Sequence, residues 1–142
     1  MTKKVFALRS IANVGKSDTV KKAYNLLTSK YKNATTEHER LRKVDIRSVL
    51  TINGAKIGIE SQGDPNGRLE ESLLLFIEVG CKVIICATRT RGQTVNAVNK
   101  LKQSYELVWL QQDDKSDAPE QEASNLAMAK KIVEEAEKVI GA

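Results

Sequence analysis

Eight residues near the start of the chain, numbers 10–17, combine a loop of small residues with a lysine and a hydroxyl group. They follow an apolar run at residues 5–8 and precede a segment with helical periodicity. Backbone N–H groups at the start of a helix are unpaired and attract anions, so this order of elements is suited to binding phosphate. Lys16 would add a positive charge beside the β- and γ-phosphates, and the Ser17 hydroxyl would bind Mg²⁺.

The run Ser-Ile-Ala-Asn-Val-Gly-Lys-Ser resembles the Walker A motif, G-x-x-x-x-G-K-[ST], of the P-loop NTPase superfamily. The resemblance implies a nucleotide triphosphate, taken to be ATP, with Mg²⁺ as its metal. The residues implied in phosphate binding are Ser10, Asn13, Val14, Gly15, Lys16, Ser17 and Asp18. Ser10 stands where the motif has its first glycine, and a side chain there restricts the backbone angles that glycine supplies. The alternative is an ordinary turn at Gly15 and a helix cap at Ser17, with Lys16 in solvent.

An acidic residue, Glu60, ends a later apolar segment, and Gly63 follows three positions further on. This spacing resembles the Walker B strand and the D-x-x-G turn of GTPase-like P-loop proteins, with glutamate in place of aspartate. The resemblance implies that Glu60 acts on Mg²⁺ through a bound water, with Asp64 as the rival for this role. The alternative is that Glu60 only ends a strand and that the following residues form turns.

Two arginines, Arg89 and Arg91, follow the most apolar run of the chain, residues 82–87. A run that is apolar on both faces is typical of a central parallel strand covered by helices on each side. Open α/β sheets bind ligands at the carboxyl ends of their strands, so both arginines are expected on the same side as residues 10–17. They would stabilise a transferring phosphoryl group or hold a second phosphate, unless they are only solvated. The catalytic set predicted in this way is Lys16, Glu60, Arg89 and Arg91.

Of the two segments between the first helix and Glu60, one is predicted to be a loop and the other a strand of a β-hairpin. Residues 29–43 are polar without apolar periodicity, which predicts a loop able to cover a nucleotide. Its Thr35 and Thr36 stand where GTPase-like proteins place a Mg²⁺-sensing threonine. Residues 44–52 instead alternate for most of their length and end at Asn53-Gly54, a strong signal for a β-hairpin, since both turn residues must tolerate positive φ.

The remaining elements complete one α/β domain over residues 1–142. Apolar periodicity predicts helices at residues 68–79 and 119–140, another helix carrying Val95, Val98 and Leu101, and a short strand at 106–110. The predicted fold is a three-layer, P-loop NTPase-like domain with about five mostly parallel strands and one antiparallel hairpin at an edge. The stripe of the last helix, Leu126, Ala129, Val133, Ala136 and Ile140, covers the sheet or, alternatively, forms a homodimer seam.

The composition restricts the classes of partner. With 41% hydrophobic and 29% charged residues, the chain can form a core and is not a disordered tail. The net charge of +5 suits polyanions, but no aromatic residues interleave with the basic cluster, so nucleic acid is disfavoured. That cluster comprises Lys30, Lys32, Arg40, Arg42, Lys43 and Arg47. No apolar run at either end has the length of a signal peptide or membrane span, which predicts a cytoplasmic protein without a membrane partner.

The cysteines and the histidine favour neither redox nor zinc chemistry. Cys81 and Cys86 are five residues apart, and strand alternation would put their side chains on opposite faces, so we expect two packed thiols. His38 is the only histidine, and no zinc-ligand spacing exists around it.

Three functions are compatible with these residues. The first is a small Mg²⁺-dependent NTPase that cleaves the β–γ phosphate bond of ATP. Guanine selectivity is not supported, because Lys102 stands where the guanine-reading motif needs an aspartate. The second is a kinase for a small acceptor, with Asp64 as the positioning base and the two arginines holding the acceptor. The third is a regulatory module that binds a nucleotide or phosphate without turnover, because Ser10 has weakened the loop.

Overall fold

In the computed structural model, which describes residues 2–9, 16–41, 45–62, 67–112, 115 and 117–142, helices cover both faces of one mixed sheet. This arrangement confirms the predicted α/β class. The elements, in chain order, are β1 Lys4–Arg9, α1 Lys16–Lys30, β2 Thr35–Leu41, β3 Ile46–Ile52, β4 Ala55–Glu60, α2 Leu69–Glu78, β5 Val83–Thr88, α3 Gln93–Asn99, β6 Glu106–Gln111 and α4 Ala118–Ile140.

The strand order is β2-β3-β4-β5-β1-β6. Strands β4, β5, β1 and β6 run parallel, whereas β3 is antiparallel to both of its neighbours. The described residues therefore form six strands, and the expectation of about five was wrong. The additional strand is β2, which lies in the segment predicted to be a loop.

Strand β2 is not predicted from the sequence, because all seven of its residues are exposed at the edge of the sheet. A strand without a buried face carries no apolar alternation, so its polar composition was read as a loop. Thr35 and Thr36 pair with Thr51 and Leu50 of β3. Four interstrand spacings, about 19 Å in all, separate β2 from β1. The two threonines therefore do not lie beside the carboxyl end of β1, as a Mg²⁺-sensing role would require.

The predicted hairpin is confirmed. Strands β3 and β4 pair antiparallel around Asn53 and Gly54, whose φ angles are 50° and 82°. These positive values are the reason for an Asn-Gly pair at this turn. The hairpin is not itself the edge, because β2 covers the outer side of β3.

The two faces of the sheet bury separate cores. Side chains of β1 alternate between them: Phe6 and Leu8 pack with α1 and α4, whereas Val5 and Ala7 pack with α2 and α3. Strand β5 is buried along its whole length, as predicted for a central strand. Most of the predicted apolar stripe of α4 is buried within this chain against α1 and the sheet, although Leu126 is 37% exposed.

Among the residues that the structure describes, every helix is too short or too polar to cross a lipid bilayer.

Both cysteines are free and buried, as expected. They share the core beneath α2 and α3, so the prediction of opposite faces was wrong. The reason is that Cys81 precedes β5, and strand alternation does not extend to it. Burial raises the pKa of both thiols to about 12, which makes them poor nucleophiles at neutral pH.

Gly58 of β4 allows α2 to approach the sheet closely. A Cβ at this position would lie 2.5 Å from Cγ of Phe76, and Phe76 is itself fully buried. Any larger side chain would therefore have to displace the aromatic ring from a filled core.

Replacing Gly58 with alanine should lower the free energy of unfolding by about 1–3 kcal/mol, the usual cost of overpacking a core. Urea denaturation of Gly58→Ala, Phe76→Leu and the double variant measures this effect. In the double variant, the smaller leucine should recover part of the loss, since the two residues are in contact. Strictly additive destabilisation would contradict a steric clash between these side chains.

Glu137 connects the two helices on one face of the sheet. Its carboxylate lies 2.6 Å from Nζ of Lys30 and also accepts a hydrogen bond from the Tyr31 hydroxyl. Burial works to raise the pKa of Glu137, but the hydrogen bonds from Lys30 and Tyr31 outweigh it and hold that pKa below its usual value. A depressed pKa means that the contact stabilises the fold above the unfolded-state pKa and is lost as pH falls through the folded-state pKa.

The Glu137→Gln variant should therefore lose less stability on acidification than the wild type. The measurement is the free energy of unfolding in urea at several pH values from about 6 down to about 3, a range that brackets the ordinary glutamate pKa. Identical pH profiles for the two proteins would show that this carboxylate is not held by Lys30 and Tyr31.

Candidate functional site

The carboxyl ends of β1 and β5 lie side by side at a point where the chain diverges. Arg9 and Thr88, the last residues of the two strands, are direct neighbours in the parallel ladder. Strand β1 leads to α1 on one face of the sheet, whereas β5 leads to α3 on the other. Ligands of open α/β sheets bind in the crevice that such a topological switch point creates.

The residues predicted to bind phosphate run from the end of β1 to the start of α1 along the chain. Helix α1 begins at Lys16, which puts Ser17 and Asp18 in its first turn, whereas the predicted loop extends to Ser17. The order strand, connection, helix is therefore confirmed. Ser10, Asn13, Val14 and Gly15, together with the Lys16 side chain, lie outside the described residues.

The exposed Asp18 belongs to a partly buried polar network that fixes the start of α1. Its Oδ2 accepts a 2.9 Å hydrogen bond from Asn125 of α4 and lies 3.4 Å from Nζ of Lys22. Gln112, which follows β6, joins the network by donating to Asn125 Oδ1 at 2.8 Å and accepting from the Thr19 hydroxyl at 2.7 Å. Because Thr19, Gln112 and Asn125 are almost fully buried, these bonds hold the first turn of α1 against β6 and α4.

Arg89 and Arg91 lie in the short connection between β5 and α3, on the same edge of the sheet as the end of β1. The Thr88 hydroxyl donates to the Arg89 carbonyl at 2.8 Å, and the Arg89 N–H donates to the Thr94 hydroxyl at 3.0 Å. Arg89 is half-buried and Arg91 is exposed. The predicted position of both arginines at the carboxyl end of the central strand is therefore confirmed.

A third arginine, Arg9, was not singled out from the sequence. Its guanidinium carbon lies 5.0 Å from the centre of the Trp109 ring, and its Nε is buried without a hydrogen-bond partner among the described residues. The available signal was an arginine at the end of an apolar strand, directly before the predicted phosphate loop. An unpaired buried donor at this edge favours an anionic or hydrogen-bond-accepting ligand nearby.

Glu60 has a different environment from the one predicted. Its fully buried carboxylate accepts hydrogen bonds from Arg68 Nε at 2.7 Å, Arg68 Nη2 at 2.9 Å, the Ser72 hydroxyl at 2.6 Å and the Gln62 N–H at 3.0 Å. Arg68 also contacts Asp45 at 2.9 Å, and the hydrogen bonds that Arg68 donates to Glu60 raise the pKa of its guanidinium despite burial. This ion cluster connects the approach to β3, the end of β4 and the start of α2.

The structure does not bring Glu60 together with Ser17. Glu60 faces α2, whereas the preceding residue Ile59 belongs to the core under α1, on the opposite face. Strand β5 also lies between β4 and β1. A joint Mg²⁺ site would require Glu60 to leave Arg68, so its predicted metal role has no geometric support. The rival residue, Asp64, lies outside the described residues.

No group of three or more His, Cys, Asp or Glu side chains in the described ranges is arranged to hold a metal ion. Any Mg²⁺ would therefore depend on the phosphates of a nucleotide for several of its ligands, as is usual for this ion.

The Glu60→Gln variant should lose about 2–4 kcal/mol of unfolding free energy, because it leaves the largely buried Arg68 with only Asp45 as a charged partner. Glu106→Gln is the matched control, since Glu106 forms an exposed ion pair with Lys4 at 3.3 Å and should lose less than about 1 kcal/mol. Urea denaturation at neutral pH compares the two. Equal stability of Glu60→Gln and wild type would mean that the cluster does not stabilise the fold.

Comparison with protein-family models, with curated proteins and with solved structures finds no match to this chain. Inference about its function therefore starts from its own residues and their arrangement.

Proposed function

We propose that this chain is a small nucleotide-binding protein of the P-loop type, which binds the phosphates of ATP, with Mg²⁺, at the carboxyl end of β1. The observation that carries the proposal is the topological switch point between β1 and β5, which coincides with the Gly-Lys-Ser motif at the start of α1. The motif is a feature of the residue types, whereas the switch point is a feature of the strand order.

Charge supports the same location. Arg89 and Arg91 follow the end of β5, Arg9 ends β1 with its guanidinium on Trp109 at the α3 face, and Lys16 begins the helix on the other face. The positive end of the α1 dipole adds to their attraction for phosphate. The nearby carboxylate of Asp18 lies 3.4 Å from Nζ of Lys22, which also pairs with Glu122, and it accepts a hydrogen bond from Asn125; both contacts reduce its repulsion of an anion.

In this proposal, different residues at the start of α1 bind the phosphates and the metal ion. Lys16 and the backbone of residues 10–15 hold the phosphate oxygens, and the Ser17 hydroxyl supplies one ligand to the Mg²⁺ that arrives with the nucleotide. The metal would neutralise phosphate charge. Gln112 and Asn125 keep the first turn of α1 in register with the end of β6.

The hydrogen bonds that Glu60 accepts favour a protein that binds nucleotide without hydrolysing it rapidly. A carboxylate that accepts four hydrogen bonds on the α2 face is not available to order a metal-bound water on the α1 face. We therefore rank a regulatory nucleotide-binding role above hydrolysis. Hydrolysis of the β–γ bond remains the second candidate, favoured by Arg89 and Arg91, which could stabilise charge on the transferring phosphoryl group.

The test is a thermal-shift and calorimetry comparison of wild type with Lys16→Ala and Lys21→Ala. Mg-ATP at a hundred times its Kd should stabilise the wild type by about 2.7 kcal/mol through mass action. Lys16→Ala should lose this stabilisation, whereas Lys21→Ala, which removes a charge from the same helix, should keep it. Equal ATP affinity in wild type and Lys16→Ala would refute the assignment.

Turnover is measured separately as phosphate release from Mg-ATP over several hours. Release that stops in Arg89→Ala and Arg91→Ala would establish hydrolysis and overturn the ranking given above. Nucleotide binding without release would support the regulatory role.

A further inference from the structure

A second cleft lies on the other half of the sheet, between the β2–β3 edge and helix α2. It has a volume of about 550 Å³. His38 and Arg47 line it from the strands, and Glu70, Glu71, Leu74 and Glu78 line it from the helix. We call this region the acidic cleft. Strand β3 is three interstrand spacings from β1, about 14 Å, so the cleft is separate from the crevice proposed for nucleotide.

Arg47 in the cleft wall is buried without adequate partners. Only 7% of the residue is exposed, although the sequence placed it in a basic surface cluster. Its Nε has no hydrogen-bond partner among the described residues, and its Nη1 lies 3.7 Å from Glu71 Oε1, beyond hydrogen-bonding distance. A guanidinium group that is buried without acceptors is costly, and Arg47 lines the cleft, so an acceptor that reaches its guanidinium there would gain a strong, charge-assisted hydrogen bond.

The helix side of the cleft is negatively charged, in contrast to the net charge of +5 of the chain. Glu70 and Glu71 lie in the first turn of α2, Glu78 ends the helix, and its last turn carries no basic residue. Glu70 has a partner, Lys100 at 3.3 Å, but both side chains are more than half exposed, and such pairs are weak and exchange readily. The three carboxylates therefore attract cationic groups.

The strand side of the cleft disfavours the addition of another strand to the sheet. Strand β2 is a fully exposed edge, but its pairing with β3 shifts register between Glu37 and Arg40. His38 has a φ of 54° at this bulge and lines the cleft. A bulge interrupts the straight row of main-chain groups that an incoming strand needs, so an occupant of the cleft would lie beside β2, not paired along it.

The size of the apolar surface favours a macromolecule over a small ligand. Leu74 is 63% exposed and Ile77 is 40% exposed, and they are neighbours on the outer face of α2. Among the described residues, they are two of the four large hydrophobic side chains with substantial exposure. An occupant that covers them extends out of the cleft and along the helix.

We propose that the acidic cleft docks an extended, lysine- or arginine-rich segment of a partner protein. A main-chain carbonyl of that segment accepts from Arg47, its cationic side chains meet Glu70, Glu71 and Glu78, and an apolar side chain packs on Leu74. An extended segment fits Arg47 better than a helix does, because the carbonyls of a helix are already hydrogen-bonded within it. This interaction is independent of nucleotide binding.

Fluorescence anisotropy tests the proposal with two labelled, end-capped octapeptides, one alternating lysine and leucine and the other alternating glutamate and leucine. The lysine peptide should bind the intact chain saturably and the glutamate peptide should not. Glu78→Lys and Glu70→Lys should each weaken binding at least about tenfold, because they place like charges opposite the peptide. Arg47→Lys should weaken binding about fivefold or more, because it keeps the charge but removes the planar guanidinium and its hydrogen-bond donors.

Glu134→Lys is the matched control, because it makes the same change of charge at an exposed position of α4. It should leave the affinity within about twofold, as expected for a site outside the contact. Circular dichroism of each variant verifies folding. If Arg47→Lys unfolds, the test of the proposal is Glu78→Lys, which changes an exposed residue at the end of α2.

Three outcomes would overturn the proposal. The first is an absence of saturable binding, and the second is an equal loss of affinity in Glu134→Lys and the cleft variants, which would indicate general charge attraction. The third is a dimer, detected by sedimentation velocity, that Glu78→Lys abolishes. That result would make a second copy of this chain the occupant.

Discussion

Burial of β1 and β5 on both faces is the constraint on which the rest of the molecule depends. Two adjacent parallel strands without a solvent-facing side require helices on each face. The connections from the two strands must therefore leave in opposite directions, β1 to α1 and β5 to α3. In open α/β sheets such a divergence is where a ligand crevice is found, and Arg9 and Arg89 stand at the ends of the two strands concerned. The position of the proposed nucleotide site is thus a consequence of core formation.

The features that could be predicted from sequence are those with a local physical cause. The hairpin at Asn53 and Gly54 depends on two residues that accept positive φ, and β5 depends on an uninterrupted apolar run. The features that were missed depend on contacts made at long range. Strand β2 has no buried face and so no periodicity, and Glu60 acquires its partners only when α2 folds back to bring Arg68 and Ser72 to the end of β4. The sequence places Arg47 in a basic surface cluster, because its burial depends on residues that are distant in the chain and not on its sequence neighbours.

Strand β4 separates two regions of opposite character. On one side lie β5 and β1, with the arginines of the crevice, and on the other lies β3, with the glutamates of α2 facing it. The ion cluster of Glu60, Arg68 and Asp45 and the contact between Gly58 and Phe76 both belong to the layer between these regions. The polar groups of β4 thus have a mainly structural role, since they attach α2 firmly to the sheet, and the surfaces left for binding lie on either side of that attachment.

The stacking of Arg9 over Trp109 has a practical consequence. Trp109 is the only tryptophan in the chain, and the centre of its ring lies 5.0 Å from the guanidinium carbon of Arg9, the last residue of β1. Any anion that draws this guanidinium away changes the electric field at the indole, which governs the colour and yield of its emission. The protein therefore contains an intrinsic optical reporter beside the proposed nucleotide site, and native fluorescence without a dye offers a way to detect an anion bound there.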